Sequence, residues 1–321
     1  MKAAVHTRYG PPEVVQVKDI PQPEPKPNEV LIQVHASTVN RTDCGFRSAE
    51  YFISRFFSGL FKPKQTTLGS EFAGVITAIG PSVTGFKVGD RVFGFNDQQF
   101  GAHAEYMLMP ESGAMALVPE GMPFTTAAAL TEGSHYALVD IRAANVKQGD
   151  DVLVYGATGA IGSAAVQLLK YFGARVTAVC ATPHVPLVQS LGADEVIDYL
   201  QEDYTTRSRR YDFVFDAVGK TSFGQAKKVL KEKGIYISTE LGKNGENVWR
   251  SFTTRFGSGP KLLFPLPTAS RQDVEFLKTL AEQGHFKPLI DRIYPLDQIV
   301  EAYRYVETRQ KLGNVIIQVQ A

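Results

Sequence analysis

Two kinds of hydrophobic pattern divide the chain. Up to about residue 125 the apolar residues come in short runs and alternations bounded by Gly and Pro, the mark of strands joined by turns at regular spacing. The predicted strands are 14–17, 30–36, 72–79, 91–93 and 102–109, and the chain opens on a further strand at its first residues. Pro21, Pro23, Pro25 and Pro27 make a stiff extended connection, and Gly85 and Gly89 break 83–90 into turns. This punctuation predicts a small barrel or sandwich. One segment departs from it. Residues 44–61 carry Phe46, Tyr51, Phe52, Phe56, Phe57 and Phe61, and predict a helix with a loop. It serves either as a core helix packed on the strands or as an aromatic wall for an apolar ligand.

From Thr125 the pattern alternates between helix and strand. A helix runs from Ala127 toward Ala144, and strands are predicted at 152–155, 175–180, 195–199, 211–216, 234–239 and 261–264. Helices are predicted at 163–172, 185–191 and 222–231. Such alternation means a parallel sheet with helices on both faces. Two closing helices, 272–283 and 296–307, and a strand at 314–320 do not extend that sheet and are expected to return to the first domain. The predicted division is therefore 1–125 with 266–321, and 126–265.

The most specific stretch is the turn Gly156-Ala157-Thr158-Gly159-Ala160-Ile161-Gly162 between strand 152–155 and helix 163–172. A strand, a turn of small residues, a helix and a second strand form the βαβ unit that binds dinucleotides. Gly159 lets the backbone approach a pyrophosphate, Gly162 lets the helix pack close to the strand, and free N–H groups at the helix start hold the phosphate charge. The second strand ends in Cys180-Ala181-Thr182-Pro183-His184, and no acidic residue occurs between Gly162 and Asp194. NAD-specific sites usually place Asp or Glu there for the ribose 2′-hydroxyl. Thr182 and His184 are instead candidates to hold a 2′-phosphate. NADPH is therefore expected to bind more tightly than NADH, by about tenfold or more on the worth of one charged hydrogen bond.

Composition narrows the class further. In 321 residues the net charge is +1, which gives no reason to expect nucleic acid or an anionic membrane as partner. No apolar run approaches a membrane span. The N-terminal residues lack the apolar stretch of a secretion signal, and Cys44 and Cys180 are the only cysteines. That excludes a disulfide framework and a cysteine-rich metal site, and a cytoplasmic location is expected.

Several motifs extend the pattern along the chain. They are Asn28-Glu29-Val30-Leu31-Ile32, Asn40-Arg41-Thr42-Asp43, Gly69-Ser70-Glu71-Phe72-Ala73-Gly74-Val75 and Val88-Gly89-Asp90-Arg91-Val92, then Leu191-Gly192-Ala193-Asp194 and Asp216-Ala217-Val218-Gly219. With the glycine turn, these resemble the medium-chain dehydrogenase/reductase family over nearly the whole length. The resemblance implies a GroES-like β-barrel catalytic domain plus a Rossmann doubly wound parallel-sheet domain, with a dinucleotide in the cleft between them. At the three positions where zinc alcohol dehydrogenases of this family hold catalytic zinc, this chain has Asn40, Ser70 and Thr131. An amide and two hydroxyls are poor Zn²⁺ ligands, and the four-cysteine structural loop is absent. The resemblance is thus to the zinc-free, quinone oxidoreductase-like branch, whose members often carry Lys or Arg near Pro183. This chain has neither there. The branch also implies that Tyr199 lies against the adenosine end, and that Ala217, Val218, Leu241 and Gly242 join Asn40, Thr131 and residues 157–162 as cofactor contacts.

Without a metal, a conjugated acceptor is the easier substrate, because charge delocalises after hydride attack at carbon. The expected reaction is NADPH-dependent reduction of quinones or α,β-unsaturated carbonyl compounds, small and apolar. Asn40, Thr131, His135 and Tyr136 are the candidate hydrogen-bond donors to the carbonyl oxygen, and Tyr51 a candidate proton donor. Two other readings stay open: a zinc-free alcohol dehydrogenase, and a non-catalytic NADPH-binding structural or sensor protein. A homodimer is expected through strand 261–264, whose apolar edge a second copy would cover.

Overall fold

The computed structural model describes residues 1–49, 55–268 and 270–320, with the backbone alone of Phe57. The chain divides into two compact units. Met1–Glu132, Ala269–Gln283 and Pro288–Ala321 form the first, and Gly133–Thr268 with Gly284–Lys287 the second.

In the first unit β1 (Lys2–Val5) pairs antiparallel with β2 (Gln16–Asp19). Then come β3 (Glu29–Val39), α1 (Arg41–Ser48), α2 (Arg55–Ser58), β4 (Glu71–Ile79), β5 (Arg91–Phe95), β6 (Tyr106–Pro110), β7 (Met115–Leu117) and α3 (Phe124–Ala128). The second unit follows with α4 (Glu132–Ala143), β8 (Asp151–Tyr155), α5 (Ala160–Tyr171), β9 (Arg175–Cys180), α6 (Val185–Ser190), β10 (Glu195–Asp198), β11 (Tyr211–Asp216), α7 (Phe223–Ala226), β12 (Leu230–Ser238), α8 (Glu246–Thr253) and β13 (Lys261–Leu263). The chain returns to the first unit with α9 (Arg271–Glu282), β14 (Ile290–Pro295), α10 (Ile299–Glu307) and β15 (Asn314–Gln318).

The sheet of the first unit runs β14-β15-β3-β4-β5-β7, and β6 pairs with Glu29–Gln33 of β3 on the side opposite β4, ahead of the Ala36–Val39 stretch that β15 takes. Val30, Ile32 and Val34 point to one face by the two-residue period of a strand, and bury there with Phe72, Ile76, Val92, Met107 and Met115. Val39, Val315 and Ile317 bury with Cys44, Ile299, Tyr303 and Val306, so α10 closes a second core. Each large side chain fully buried in this way contributes about 1.5–3 kcal/mol relative to exposure.

The second sheet runs β10-β9-β8-β11-β12-β13, all parallel. The chain steps outward from β8 to β10, then crosses back to β11 and steps outward again. The reversal between β8 and β11 opens a crevice at the carboxyl ends of the strands, where ligands of open α/β sheets bind. Among the described residues no helix is long and apolar enough to cross a membrane.

Several elements differ from the pattern-based reading. Pro12–Val14 is a 3₁₀ turn, and the strand expected at 14–17 starts at Gln16. The helix expected at 222–231 shrinks to α7, because Val229 and Leu230 belong to the sheet core and the Val229 carbonyl accepts from the Tyr211 amide at 2.8 Å. β14 is an edge strand without a clear alternation: Tyr294 packs against the second core, but Arg292 on the same face and Ile293 on the other are exposed, and no period marks it. The aromatic segment is split. Phe46 rests on Phe100 with ring centroids 4.8 Å apart, whereas Phe56 and Phe61 are exposed, which removes those two from the core reading. Tyr51 and Phe52 lie outside the described residues.

Candidate functional site

In the second unit, Gly156 takes φ +82°, and a side chain there would press within 2.6 Å of Val218. A Cβ on Gly162 would stand 2.1 Å from the Gly156 carbonyl oxygen and 2.9 Å from the Ala157 Cα, so the start of α5 lies directly on the end of β8. Gly159 is different. It caps α5 with φ −73° and ψ 172°; among the described residues no side chain bonds the first N–H groups of the helix, and nothing but the Gly156 oxygen, at 4.0 Å, comes within reach of its missing Cβ. Thr158, Gly159, Ala160 and Ile161 are all part-exposed. The turn is packed from beneath and open above, which fits a pyrophosphate on a helix N-terminus. These residues, with Ala157 below, would hold the dinucleotide.

The loops on either side come from neighbouring strands. Ala217 and Val218 follow β11, and their loop is tied down by Asp216. That buried carboxylate accepts from the amides of Val218 at 3.2 Å, Lys220 at 3.3 Å and Thr221 at 3.2 Å, and from the Tyr236 hydroxyl at 3.2 Å. Burial pushes its carboxyl up, against the pull of those amides. Leu241 and Gly242 follow β12. The Leu241 carbonyl accepts from the Asn247 amide at 3.0 Å, and Gly242 takes φ +74°. Sequence had marked Asp216 only as part of a motif; its role as the anchor of this loop is a tertiary finding.

Thr182, His184 and Tyr199 also stand at carboxyl ends, after β9 and β10. Here the structure corrects an expectation. No acidic residue occurs for many positions after Gly162, but β10 pairs with β9 so that Asp198 stands beside Cys180. The Thr182 hydroxyl donates to Asp198 Oδ2 at 2.5 Å. A carboxylate therefore does reach this corner, carried by the next strand. Tyr199 is half-exposed, with its amide on the Cys180 carbonyl at 3.1 Å.

His135 and Tyr136 lie on α4 in the second unit. His135 is buried, Tyr136 is half-buried, and their rings meet edge-on at 6.2 Å. Gly133 lets this helix approach α5: a Cβ there would be 2.9 Å from the Ala160 carbonyl carbon. Tyr51 lies outside the described residues.

In the first unit, Asn40, Ser70 and Thr131 converge around one carboxylate, Glu71. Asn40 caps α1: its Oδ1 accepts from the Asp43 amide at 2.9 Å while its Nδ2 donates to Ser70 Oγ at 2.8 Å and helps hold Glu71. Thr131 Oγ1 donates to Glu71 Oε1 at 2.9 Å, the Glu132 amide donates to the same oxygen at 2.6 Å, and the Thr38 hydroxyl to Oε2 at 2.5 Å. Thr42 donates to Glu132 Oε1 at 2.6 Å. Burial pushes the Glu71 carboxyl up against all of these bonds. It pushes Glu132 up further, reinforced by the Glu71 charge. Lys311 is held below its ordinary range by burial, although Glu132 and Glu71 draw it up. Asp43, fully buried, is pushed up to about 7 by burial against the amides of Asn40 and Gly69. Thr38 and Glu132 had no sequence signal and Thr42 was marked only as part of a motif, because their bonds cross up to 90 positions. Among the described residues no group of three or more His, Cys, Asp or Glu side chains is placed to hold a metal.

Comparison with known proteins agrees with this architecture. Residues 26–120 match the alcohol dehydrogenase GroES-like domain and residues 191–317 the zinc-binding dehydrogenase family. The chain is 32% identical to 2-methylene-furan-3-one reductase of Solanum lycopersicum, over 99% of this chain and 79% of that one. It is 31% identical to the chloroplastic NADPH-dependent alkenal/one oxidoreductase of Arabidopsis thaliana, over the same shares of 99% and 79%. The quinone oxidoreductase structure from Coxiella burnetii superposes with a TM-score of 0.89 at 28% identity, covering 100% of this chain and 99% of that one. The chain belongs to the quinone oxidoreductase-like branch of the medium-chain dehydrogenase/reductases, with a GroES-like domain and a Rossmann-like domain. It is an oxidoreductase that uses a nicotinamide cofactor.

Proposed function

We propose that the chain reduces quinones or the C=C bond of α,β-unsaturated carbonyl compounds with NADPH, without zinc. The observation that carries this reading is the chemistry around Glu71. At the three positions where zinc relatives place metal ligands, an amide nitrogen faces a hydroxyl and the Thr131 proton is committed to a carboxylate. That donor set suits neither the charge nor the softness of Zn²⁺. No Lewis acid then takes the charge that develops on the substrate oxygen, so the substrate itself must spread it. The names of the tomato and Arabidopsis relatives, both reductases of conjugated carbonyls, point the same way.

The bound cofactor supplies a hydride. On an enone, the hydride forms a C–H bond at the β-carbon, the C=C electron pair moves toward oxygen to give an enolate, and a proton then closes the α-carbon. The chain's own contribution is to hold the dinucleotide at residues 157–162, 217–218 and 241–242, and to offer hydrogen bonds to the oxygen. Thr131 spends its proton on Glu71 and is read here as a holder of that carboxylate. His135 and Tyr136 remain the candidate donors. The same reading makes the chain a homodimer. β13 is the end strand of its sheet, and Trp249, Phe252 and Phe256 near it are more than half exposed, the kind of apolar edge that a second copy covers. Light scattering tests this, with a monomer as the contrary result.

NADPH oxidation measured against cyclohexenone, an ortho-quinone and cyclohexanone tests the reaction type. Cyclohexenone and the quinone should turn over far faster than cyclohexanone, and deuteride from 4-labelled NADPH should appear at the β-carbon. Comparable rates with cyclohexanone, or label on the carbonyl carbon, would reject the reading. So would activity that a chelator abolishes and zinc restores.

A further inference from the structure

We propose that Asp198 sets the balance between NADPH and NADH in this chain: its carboxylate accepts the ribose 2′-hydroxyl of NADH and opposes the 2′-phosphate of NADPH at Thr182. The proposal rests on the reading of the β9–β10 corner as the adenosine-ribose end of the cofactor site.

Three observations carry it. The first is position. Asp198 ends β10 in register with Cys180, the last residue of β9, and its Oδ2 takes the Thr182 hydroxyl at 2.5 Å. NAD-binding folds place a carboxylate at the end of the second strand for the ribose hydroxyl. Here the acid arrives from the third strand and reaches the same corner. The second is orientation. Oδ1 accepts the Leu200 amide at 3.0 Å, so both oxygens are held and the group does not swing away. The third is charge. The neighbouring acids are neutralised: Asp194 pairs with Lys170 at 2.7 Å, and Glu195 with Arg209 at 2.8 Å and with Arg207. Asp198, among the described residues, has no ion-pair partner. Its field is felt at the strand end, where burial first and the Asp198 charge second push the Cys180 thiol up to about 11. From 181 to 199 the only side chain that can carry positive charge is His184.

The consequence is a compromise. Thr182 and His184 can donate to a phosphate, but a phosphate monoester near neutral pH carries nearly two negative charges and would sit beside an unneutralised carboxylate. The ribose hydroxyl of NADH meets a fixed acceptor instead. Removing the charge while keeping the shape should release this restraint. In Asp198→Asn the side-chain oxygen keeps the Leu200 amide and the NH₂ group donates to the Thr182 hydroxyl, so the corner keeps its geometry without the charge.

The test is equilibrium binding by calorimetry, with no turnover. The ligands are NADPH, NADH, 2′,5′-ADP and 5′-AMP, and the proteins are wild type, D198N and D198E. In D198N the ratio of NADH to NADPH dissociation constants should rise about tenfold or more, the worth of one charged interaction, and 2′,5′-ADP over 5′-AMP should follow it. D198E, which keeps the charge, should stay within about threefold of wild type, half of one such step. A ratio in D198N equal to that of wild type overturns the proposal, as does an equal change in D198E and D198N. These results leave the cofactor reading standing if wild type binds NADPH. If wild type binds neither 2′,5′-ADP nor 5′-AMP, the corner is not the adenosine end, and the reading and the proposal fall together.

Discussion

The glycine turn of the second unit and the carboxylate cluster of the first are both polar sites, built in opposite ways. The turn offers backbone N–H groups, and its side chains are small because the backbone must come close to itself and to a ligand. Its residues are contiguous, 156 to 162. The cluster offers almost no free backbone. Glu71, Glu132 and Asp43 are buried and satisfied by hydroxyls and amides from positions 38, 40, 42, 69, 131 and 132. A site made of backbone tolerates changes in side-chain chemistry but not in side-chain volume. A site made of buried carboxylates tolerates the reverse, because an unmatched polar group in the interior costs more than a small misfit.

The largest expected effect breaks the cluster. Glu71→Leu leaves the Thr38 hydroxyl and the Glu132 amide without their acceptor, and turns the Thr131 hydroxyl to its longer bond with the Gly94 carbonyl at 3.3 Å. At about 1–3 kcal/mol for each unsatisfied buried donor, the loss should come to about 5 kcal/mol by urea denaturation. Glu71→Gln, which keeps one acceptor oxygen, should lose much less. Equal stability of E71L and wild type would mean that the cluster is ornamental.

The turn should respond to volume. Gly162→Ala drives a Cβ toward the Gly156 carbonyl, and should cost about 3 kcal/mol, the upper range for overpacking. Gly159→Ala has room, and should change stability by no more than about 0.5 kcal/mol while weakening NADPH binding about tenfold, because the ligand-side approach is lost. Thermal unfolding with and without NADPH separates the two effects. A stability loss in G159A matching that of G162A would erase the distinction between the packed and the open side of the turn.

The smallest effect is a slope. Asp43 holds its proton up to about 7 in the folded chain, whereas 3.8 is its ordinary value. Between these values the folded chain binds a proton that the unfolded chain has released, so this group's stabilising contribution is full below about 4 and is lost as pH rises through 7. His103, lowered from 6.5 to about 4 by burial, works in the opposite sense between those two values. The clean measurement is therefore the difference between wild type and Asp43→Asn. It should move against wild type by about 2 kcal/mol from pH 4.5 to 6.5. A difference independent of pH would place the proton elsewhere.

Legibility followed the same divide. The βαβ unit was readable from its glycines and its apolar strand, because each requirement is met within a dozen residues. The strands at β3, β4 and β5 were readable from their apolar runs, but β7, buried and only three residues long, is too short to show a period. β14 was not readable either, since Arg292 and Ile293 on its two faces are exposed and only Tyr294 packs on the core, which leaves no period. The helix expected at 222–231 was shortened by Val229 and Leu230, whose apolar side chains suit a helix face and a sheet core equally.

The sequence by itself determined that the chain has a dinucleotide turn at 156–162, a strand-rich and an alternating part, and no zinc-type ligands at Asn40, Ser70 and Thr131. All of these depend on residue identity at neighbouring or motif-matched positions. Only the tertiary structure decided that these three positions gather around Glu71, that Asp216 pins the loop after β11, and that Asp198 stands against Thr182. The last reversed an argument made from local sequence. Counting residues after Gly162 meets no acid before Asp194, well past the end of β9, but a parallel sheet sets the end of β10 beside the end of β9, and strand register, not chain distance, places the charge.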